Sequence, residues 1–196
     1  MYISIESLSY LGASNDTLSR VRKLIGNQRI SLSSFLKRVK LQGFDYAYLI
    51  WFARQHGATN QDILELGISA SKLILNDFEI EFPDDTRPRK ALEIAVACNK
   101  KKHSDSSLAV VRSVAASRAS KEAWSQKRYE ASASAISIAR IAWATWMLEQ
   151  KPETAEQIIL KVISYVSESS YLNEFKIKGL LFRLITKLNS DTQLCN

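Results

Sequence analysis

The sequence predicts an all-α protein: a compact bundle of about seven to nine helices with a small basic N-terminal helical subdomain. The 196 residues contain only six glycines and three prolines, so few positions interrupt a helix. The stretch from Ser106 to Gln150 has no glycine or proline and is rich in alanine, the strongest helix former. Strand patterns are scarce. Leu73–Phe82 alternates briefly, but its apolar positions keep helical spacing, so we interpret it as helix or a frayed turn.

Three short helices are predicted in residues 1–58, a basic N-terminal module. The first spans Thr17–Gly26 and ends at a glycine suited to a C-terminal cap. The second begins near Ser31 or Ser33, either of which could cap it, and stops at Gly43. The third, Asp45–Gly57, is aromatic on nearly every side and is therefore expected to be buried.

Residues 59–189 are predicted to form an alanine-rich helical bundle, followed by a disordered tail at 190–196. A long helix begins at Thr59, where Asp62 completes a capping-box pattern. Gly67 lies inside this helix at a cost of about 1 kcal/mol relative to alanine.

Four further segments complete the predicted bundle. A helix begins at Arg87–Pro88, because proline is tolerated in the first helical turn. The alanine-rich stretch that follows forms one long helix or two helices broken near Ser125–Gln126. Another helix opens with Pro152 at an early position, and Tyr171–Leu188 provides the last.

The chain carries a net charge of +7, with a pI of about 9.4. Most of the excess is N-terminal: residues 1–58 carry eight Lys or Arg and three acids. Such a cluster is either a solvated basic face or a patch that faces an acidic partner or a nucleic acid. The basic residues at issue are Arg20, Arg22, Lys23, Arg29, Lys37, Arg38 and Lys40.

Several features predict a cytoplasmic protein, bacterial or in the host cytoplasm if the chain is phage-encoded. Cys98 and Cys195 are far apart and give no disulfide framework, as expected in a reducing compartment. The first residues lack the pattern of a signal peptide, and no apolar run is long enough for a membrane span. We therefore expect no membrane partner.

Residues suited to catalysis or metal binding are few, so we expect no enzyme activity, no metal and no cofactor. His56 precedes Gly57 at a helix end, where a cation would suit the helix dipole, and His103 lies in a polar loop. Neither has a cysteine or histidine at metal-ligand spacing. Glycine-rich phosphate loops and nucleophile elbows are absent from the sequence. Cys98 is expected in the core.

The acids Asp84 and Asp85 precede a predicted helix start. Paired carboxylates could serve acid–base chemistry or bind a cation, but negative charge also stabilises a helix N-terminus. We favour the capping role. For the four tryptophans, core packing is the expected role, although two of them at i,i+3 could flank a pocket. The tryptophans are Trp51, Trp124, Trp143 and Trp146.

Arg87 and Arg89 lie at the same helix start, where positive charge opposes the helix dipole. Two interpretations stay open. In the first, the arginines form internal pairs, Arg89 with Glu93 and Arg87 with Asp84 or Asp85. In the second, they are presented to a carboxylate or phosphate of a partner.

The N-terminal module has the size of a helix-turn-helix, and its basic residues could contact DNA. Its third helix would be the reading helix, yet it contains LIWFARQHG and is too apolar to display in a groove. Nucleic-acid binding is therefore the second hypothesis.

Three segments together resemble the alanine-rich immunity-protein family of bacteria and phages. The specific part is D-x-R-P-R-x-A-L-E, Asp85–Glu93; the successive alanine helices follow at Ser106–Ala123 and Tyr129–Trp146. The resemblance covers roughly Tyr46–Ser167 and implies an all-helical protein that neutralises a toxin by binding it. Family members often carry histidines in the later alanine helix, and this chain has none there.

The segment Leu11–Ala53 is similar to the N-terminal module of small phage proteins. Taken together, these features predict a non-enzymatic binding protein. It would be an immunity protein or a phage-encoded inhibitor of a host defence or toxin enzyme. The expected contact residues are Arg87, Arg89 and the basic face of residues 20–40.

Overall fold

The structure is a computed structural model that describes the backbone of residues 2–42, 45–100 and 106–194. Within these ranges, side chains are described except at residues 40–42, 171 and 189–194. The described residues form ten helices and two short strands. These are β1 Tyr2–Ile3, α1 Ile5–Tyr10, α2 Asn15–Ile25, β2 Ile30–Ser31, α3 Leu32–Gln42, α4 Tyr46–Gln55, α5 Asn60–Glu81, α6 Arg87–Asn99, α7 Ser107–Ser125, α8 Tyr129–Gln150, α9 Pro152–Ser169 and α10 Tyr171–Leu194.

The all-α class is confirmed, and two features of the elements were not predicted. Helix α1 and the antiparallel pair β1–β2 occupy the N-terminal region, with Ile3 opposite Ile30. At the other end, α10 continues to Leu194, into the predicted tail at 190–196. No glycine or proline follows Gly179, so nothing in the sequence stops that helix.

The chain divides into two compact units, one comprising Met1–Ala58 with Leu181–Asn196 and the other Thr59–Leu180. In the first unit, Ser14 caps α2, and Gly26 ends it with a φ of 62°. Ser31 rather than Ser33 caps α3, since its hydroxyl oxygen accepts a hydrogen bond from the Ser34 backbone amide. Gly43, the predicted stop of that helix, lies outside the described residues.

Helix α4 is largely buried, as its aromatic composition predicts. Leu49, Ile50 and Phe52 are fully buried, and the ring of Phe52 lies 5.9 Å from that of Phe35 on α3. A helix whose apolar side chains form the core of its unit cannot also expose them in a DNA groove.

The second unit packs α5, α6, α7 and α9 around α8. Thr59 and Asp62 form the predicted capping box at the start of α5. Gly67 marks a close helix approach: a Cβ placed there would lie 2.7 Å from Ile141 Cδ1 and 2.9 Å from Ile159 Cγ2. The absence of a side chain at this position therefore lets α8 and α9 pack closely against α5.

Helices α7 and α8 form a hairpin packed through alanines. Ala119 and Ala123 of α7 meet Ala131 and Ala135 of α8 in one buried cluster with Phe78. Of the two alternatives for the alanine-rich stretch, the structure has the two helices broken near Ser125–Gln126. There the chain turns through Lys127 with a φ of 61°.

Within the described part of the chain, no helix is long and apolar enough to cross a lipid bilayer.

Candidate partner-binding site

The arginines at the start of α6 stabilise the corner between α5 and α6. Helix α6 begins at Arg87, with Pro88 buried in its first turn. The Asp85 carboxylate accepts a hydrogen bond of 3.0 Å from the Arg87 backbone amide, whereas the Thr86 side chain makes no cap. Asp85, one of the two acids for which we favoured a capping role, therefore caps the start of α6.

The Arg87 side chain joins three segments of the chain. Its Nε and Nη2 donate to the Asp85 carboxylate at 2.9 Å and 2.6 Å. Its Nη1 donates to Glu122 Oε1 on α7 at 2.9 Å, and its Nη2 also donates to Glu122 Oε2. These hydrogen bonds lower the pKa of both carboxyl groups. The pair with Asp85 was one of the predicted internal pairs; the pair with Glu122 was not predicted.

Arg89 pairs with a different partner from the one that helical spacing suggests. Its Nε and Nη2 donate to the Glu79 carboxylate at 2.7 Å and 2.6 Å. Glu93, the partner considered from helical spacing, adds a smaller electrostatic contribution: its charge raises the pKa of Arg89 less than Glu79 does. The short α5–α6 connection places the last turn of α5 beside the first turn of α6, so Glu79 is within reach.

A third ion pair, which the sequence analysis missed, lies at the same end of the second unit. Arg128, just before α8, contacts Glu81 at the end of α5 with 3.2 Å between Nε and Oε2. Nothing in the local sequence pairs residues so far apart. The three arginines thus connect α5, α6, α7 and the start of α8, and each already has a carboxylate partner.

The basic residues of the first unit lie mainly on α2 and α3. Arg22, Lys23, Lys37 and Arg38 are exposed, and we call these four residues the basic surface. Arg38 Nη1 donates to the Leu24 carbonyl oxygen at 2.8 Å, which connects α3 to the last turn of α2. The Arg38 guanidinium therefore lies at the turn of α2 that contains Arg22 and Lys23.

Three other basic residues that were expected to contact a partner do not belong to the basic surface. Arg20 pairs with Asp16 at 2.9 Å on α2. The Arg29 guanidinium lies 5.0 Å from the centre of the Tyr2 ring, in a cation–π contact. The Lys40 side chain lies outside the described residues.

His56 has a structural role, but a different one from the cation that was predicted. It is the C-terminal cap residue of α4, and its ring packs edge-on against Phe52 with 4.4 Å between centroids. Burial lowers the pKa of His56 below its ordinary value of 6.5. Burial therefore favours the neutral ring over the protonated one. His103 and Cys195 lie outside the described residues, and Cys98 is half-buried rather than fully in the core.

The prediction that the tryptophans pack in the core is wrong for two of the four. Trp124 is 62% exposed and Trp143 48% exposed, whereas Trp51 and Trp146 are half-buried. A cleft of about 430 Å³ in the second unit is lined by Asp77, Glu81, Arg128, Tyr129 and Glu130, among other residues. That lining includes neither Trp143 nor Trp146, the pair considered for a pocket.

Among the described residues, no group of three or more His, Cys, Asp or Glu side chains is arranged to hold a metal ion. Comparison of the chain with protein-family models, curated proteins and solved structures gives no match.

Proposed function

We propose that this chain is a non-enzymatic helical protein that binds and inhibits a protein target through the basic surface of α2 and α3. One observation supports this most: the Arg38–Leu24 hydrogen bond places an exposed cation of α3 at the last turn of α2, which contains Arg22 and Lys23. Within the described residues, Lys23 and Lys37 form no ion pair with a carboxylate of the chain. Their charge is therefore available to a partner.

An acidic protein surface is the partner that this arrangement suits. Clustered exposed cations increase the association rate with an acidic partner and help to orient it. Inhibition would follow from steric occlusion of the target. The resemblance to immunity proteins supports the same class of target, a toxin or a host defence enzyme.

In this proposal Arg87 and Arg89 stabilise the α5–α6 corner and do not contact the partner. Each donates bidentate hydrogen bonds to a carboxylate of the chain, so a partner would have to displace those bonds. Displacing a charge-assisted bidentate pair is costlier than contacting an exposed lysine.

Nucleic-acid binding through the same cations is the competing function. Because α4 is buried, such binding would rely on phosphate contacts alone, and its affinity would fall steeply with salt. It would also be abolished by nuclease treatment.

The test is affinity capture from a nuclease-treated host lysate with three forms of the intact chain. These are the wild type, the Lys23→Glu/Lys37→Glu variant and the Lys90→Glu/Lys161→Glu variant. Both double variants change the net charge equally, but Lys90 and Lys161 are exposed cations of the second unit. We expect the wild type and the second variant to retain one protein that the first variant loses. The purified target should lose activity when the wild-type chain is added.

Two results would overturn the proposal. Equal recovery by both double variants would show that the basic surface makes no contact. Recovery from an untreated portion of the same lysate that disappears on nuclease treatment would identify nucleic acid as the ligand.

A further inference from the structure

We propose that the groove between α7 and α8 docks an acidic amphipathic helix of a partner protein. This α7–α8 groove is lined by Ser120, Lys121, Trp124, Ser132, Ala133 and Ile136. It belongs to the second unit, so the inference is independent of the basic surface on α2 and α3.

The first observation is the exposed stripe of α8. This helix packs against α5, α6, α7 and α9, and most of its side chains are buried. From Tyr129 to Trp143, its exposed and half-buried positions other than Glu130 follow helical spacing along one face: Tyr129, Ala133, Ile136, Arg140 and Trp143. Four of these five residues are apolar or aromatic. A helix that buries its other faces thus leaves an apolar stripe uncovered.

The second observation is the wall that α7 contributes. Trp124 is 62% exposed and packs edge-on against Tyr129, which is 52% exposed, with 4.7 Å between ring centroids. The hydroxyls of Ser120 and Ser132, which also line the groove, form a buried hydrogen bond of 2.9 Å with each other. Each of these two polar groups therefore has a hydrogen-bond partner. The groove has a volume of about 420 Å³. Exposed aromatic side chains of this kind supply most of the binding energy in many protein interfaces.

The third observation is the charge along this face. Lys121 lines the groove, and Arg140 lies on the exposed stripe of α8. Neither neighbouring acid lines the groove: Glu122 accepts hydrogen bonds from Arg87, and Glu130 lines the separate cleft that also contains Arg128. The groove is therefore apolar and cationic, which suits a ligand with apolar residues flanked by carboxylates.

The shape indicates a helix. A groove between two antiparallel helices accepts the apolar stripe of a third, as in helix-in-groove recognition. From Tyr129 to Trp143 the α8 stripe rises about 21 Å, which corresponds to roughly four turns of a docked helix. A second copy of this chain fits less well, because symmetric pairing would bring the same cations together. An anionic membrane surface would contact a flat or convex face of the protein better than it would contact a groove.

The test uses a synthetic peptide of roughly 18 residues, with leucine and phenylalanine on one helical face and glutamate elsewhere. A scrambled peptide of equal composition and a peptide with lysine replacing glutamate are the ligand controls. Titration calorimetry with the full chain at 0.15 M salt should show binding of the acidic amphipathic peptide alone.

Variants locate the peptide on the groove. We expect Trp124→Ala to weaken binding about 10-fold, as for a typical interface anchor, while Leu172→Ala on α10 has no effect. Lys121→Glu/Arg140→Glu should abolish the preference for the acidic peptide, while Lys90→Glu/Lys161→Glu keeps it. The Lys23→Glu/Lys37→Glu variant should bind the peptide like the wild type, which separates this inference from the proposed function.

Several outcomes would overturn the inference: no peptide binding, equal binding of the scrambled peptide, or full binding by Trp124→Ala. Concentration-dependent dimerisation that Trp124→Ala abolishes would assign the groove to a second copy. Sedimentation with phosphatidylserine vesicles that the same variant abolishes would assign it to a membrane.

Discussion

The Arg87 guanidinium on α6 donates hydrogen bonds to both carboxylate oxygens of Glu122 on α7, 35 residues later in the chain. The same guanidinium also binds Asp85, so one side chain joins the α5–α6 connection to α7. The arginine that the sequence analysis offered as a partner contact is thus part of the internal structure of the second unit.

Replacement of Arg87 by alanine should lower the free energy of unfolding by about 1 kcal/mol, since the side chain is about one-third exposed and solvent screens part of the interaction. The loss of stability caused by Arg87→Ala should be smaller at acidic pH. Arg87 lowers the pKa of Asp85 below its ordinary value of 3.8. The contribution of the Arg87–Asp85 interaction to stability is therefore present above pH 3.8 and is lost as pH falls through the folded-state pKa. Urea denaturation at pH 7 and pH 3 measures both effects.

A double-mutant cycle with Glu122→Gln isolates the long-range pair. The two substitutions should be non-additive, because Glu122→Gln removes the charge and one of the two acceptor oxygens that Arg87 binds. Additive effects would mean that Arg87 acts through Asp85 alone. Lys90→Ala, an exposed neighbour on α6, is the control and should leave stability unchanged.

Replacement of Gly67 by alanine should destabilise the protein by about 1 to 3 kcal/mol, although alanine is the better helix former. The new Cβ would lie 2.7 Å from Ile141 Cδ1 and 2.9 Å from Ile159 Cγ2, so these two fully buried side chains would have to shift in a packed core. Thermal unfolding followed by circular dichroism measures the change.

Gly179 in α10 gives the matched control, because a Cβ there meets no atom within 4 Å. Gly179→Ala should leave stability unchanged or raise it by up to about 1 kcal/mol through helix propensity. If Gly67→Ala were equally well tolerated, the close approach of α8 and α9 to α5 would be contradicted.

His56 should titrate below its ordinary pKa of 6.5, because its ring is partly buried and charging it in that position is unfavourable. The unfolded chain then binds a proton at higher pH than the folded chain. The contribution of the neutral ring to stability is therefore present above pH 6.5 and is lost as pH falls through the folded-state pKa.

NMR titration of the histidine ring protons, assigned with His56→Asn, measures this pKa directly. The His56→Asn variant should also lose less stability than the wild type between pH 7 and pH 5. A pKa above 6.5 would instead support the earlier expectation of a cation at the end of α4.

Local patterns predicted much of the fold. The Thr59–Asp62 capping box, the C-terminal cap at Gly26 and the break near Ser125 all depend on residues within a few positions of one another. The pattern of alanines likewise predicted that α7 and α8 are helices. Such features need no knowledge of tertiary structure.

Tertiary contacts were the part that the sequence did not reveal. Arg89 pairs with Glu79 rather than Glu93 because two helices meet at a corner, which helical spacing alone cannot show. Trp124 is exposed although core packing was expected for it, since the face of a helix that becomes buried depends on the helices around it. The α7–α8 groove was missed for the same reason.

The most direct test of the proposed function is the dissociation constant of the captured protein target for the wild type and for Lys23→Glu/Lys37→Glu, measured by calorimetry at two salt concentrations. We predict that affinity falls at least about 10-fold in the variant, and that its dependence on salt weakens. Lys90→Glu/Lys161→Glu should bind like the wild type. Equal affinities for the wild type and Lys23→Glu/Lys37→Glu would contradict the assignment of the basic surface as the contact with the target.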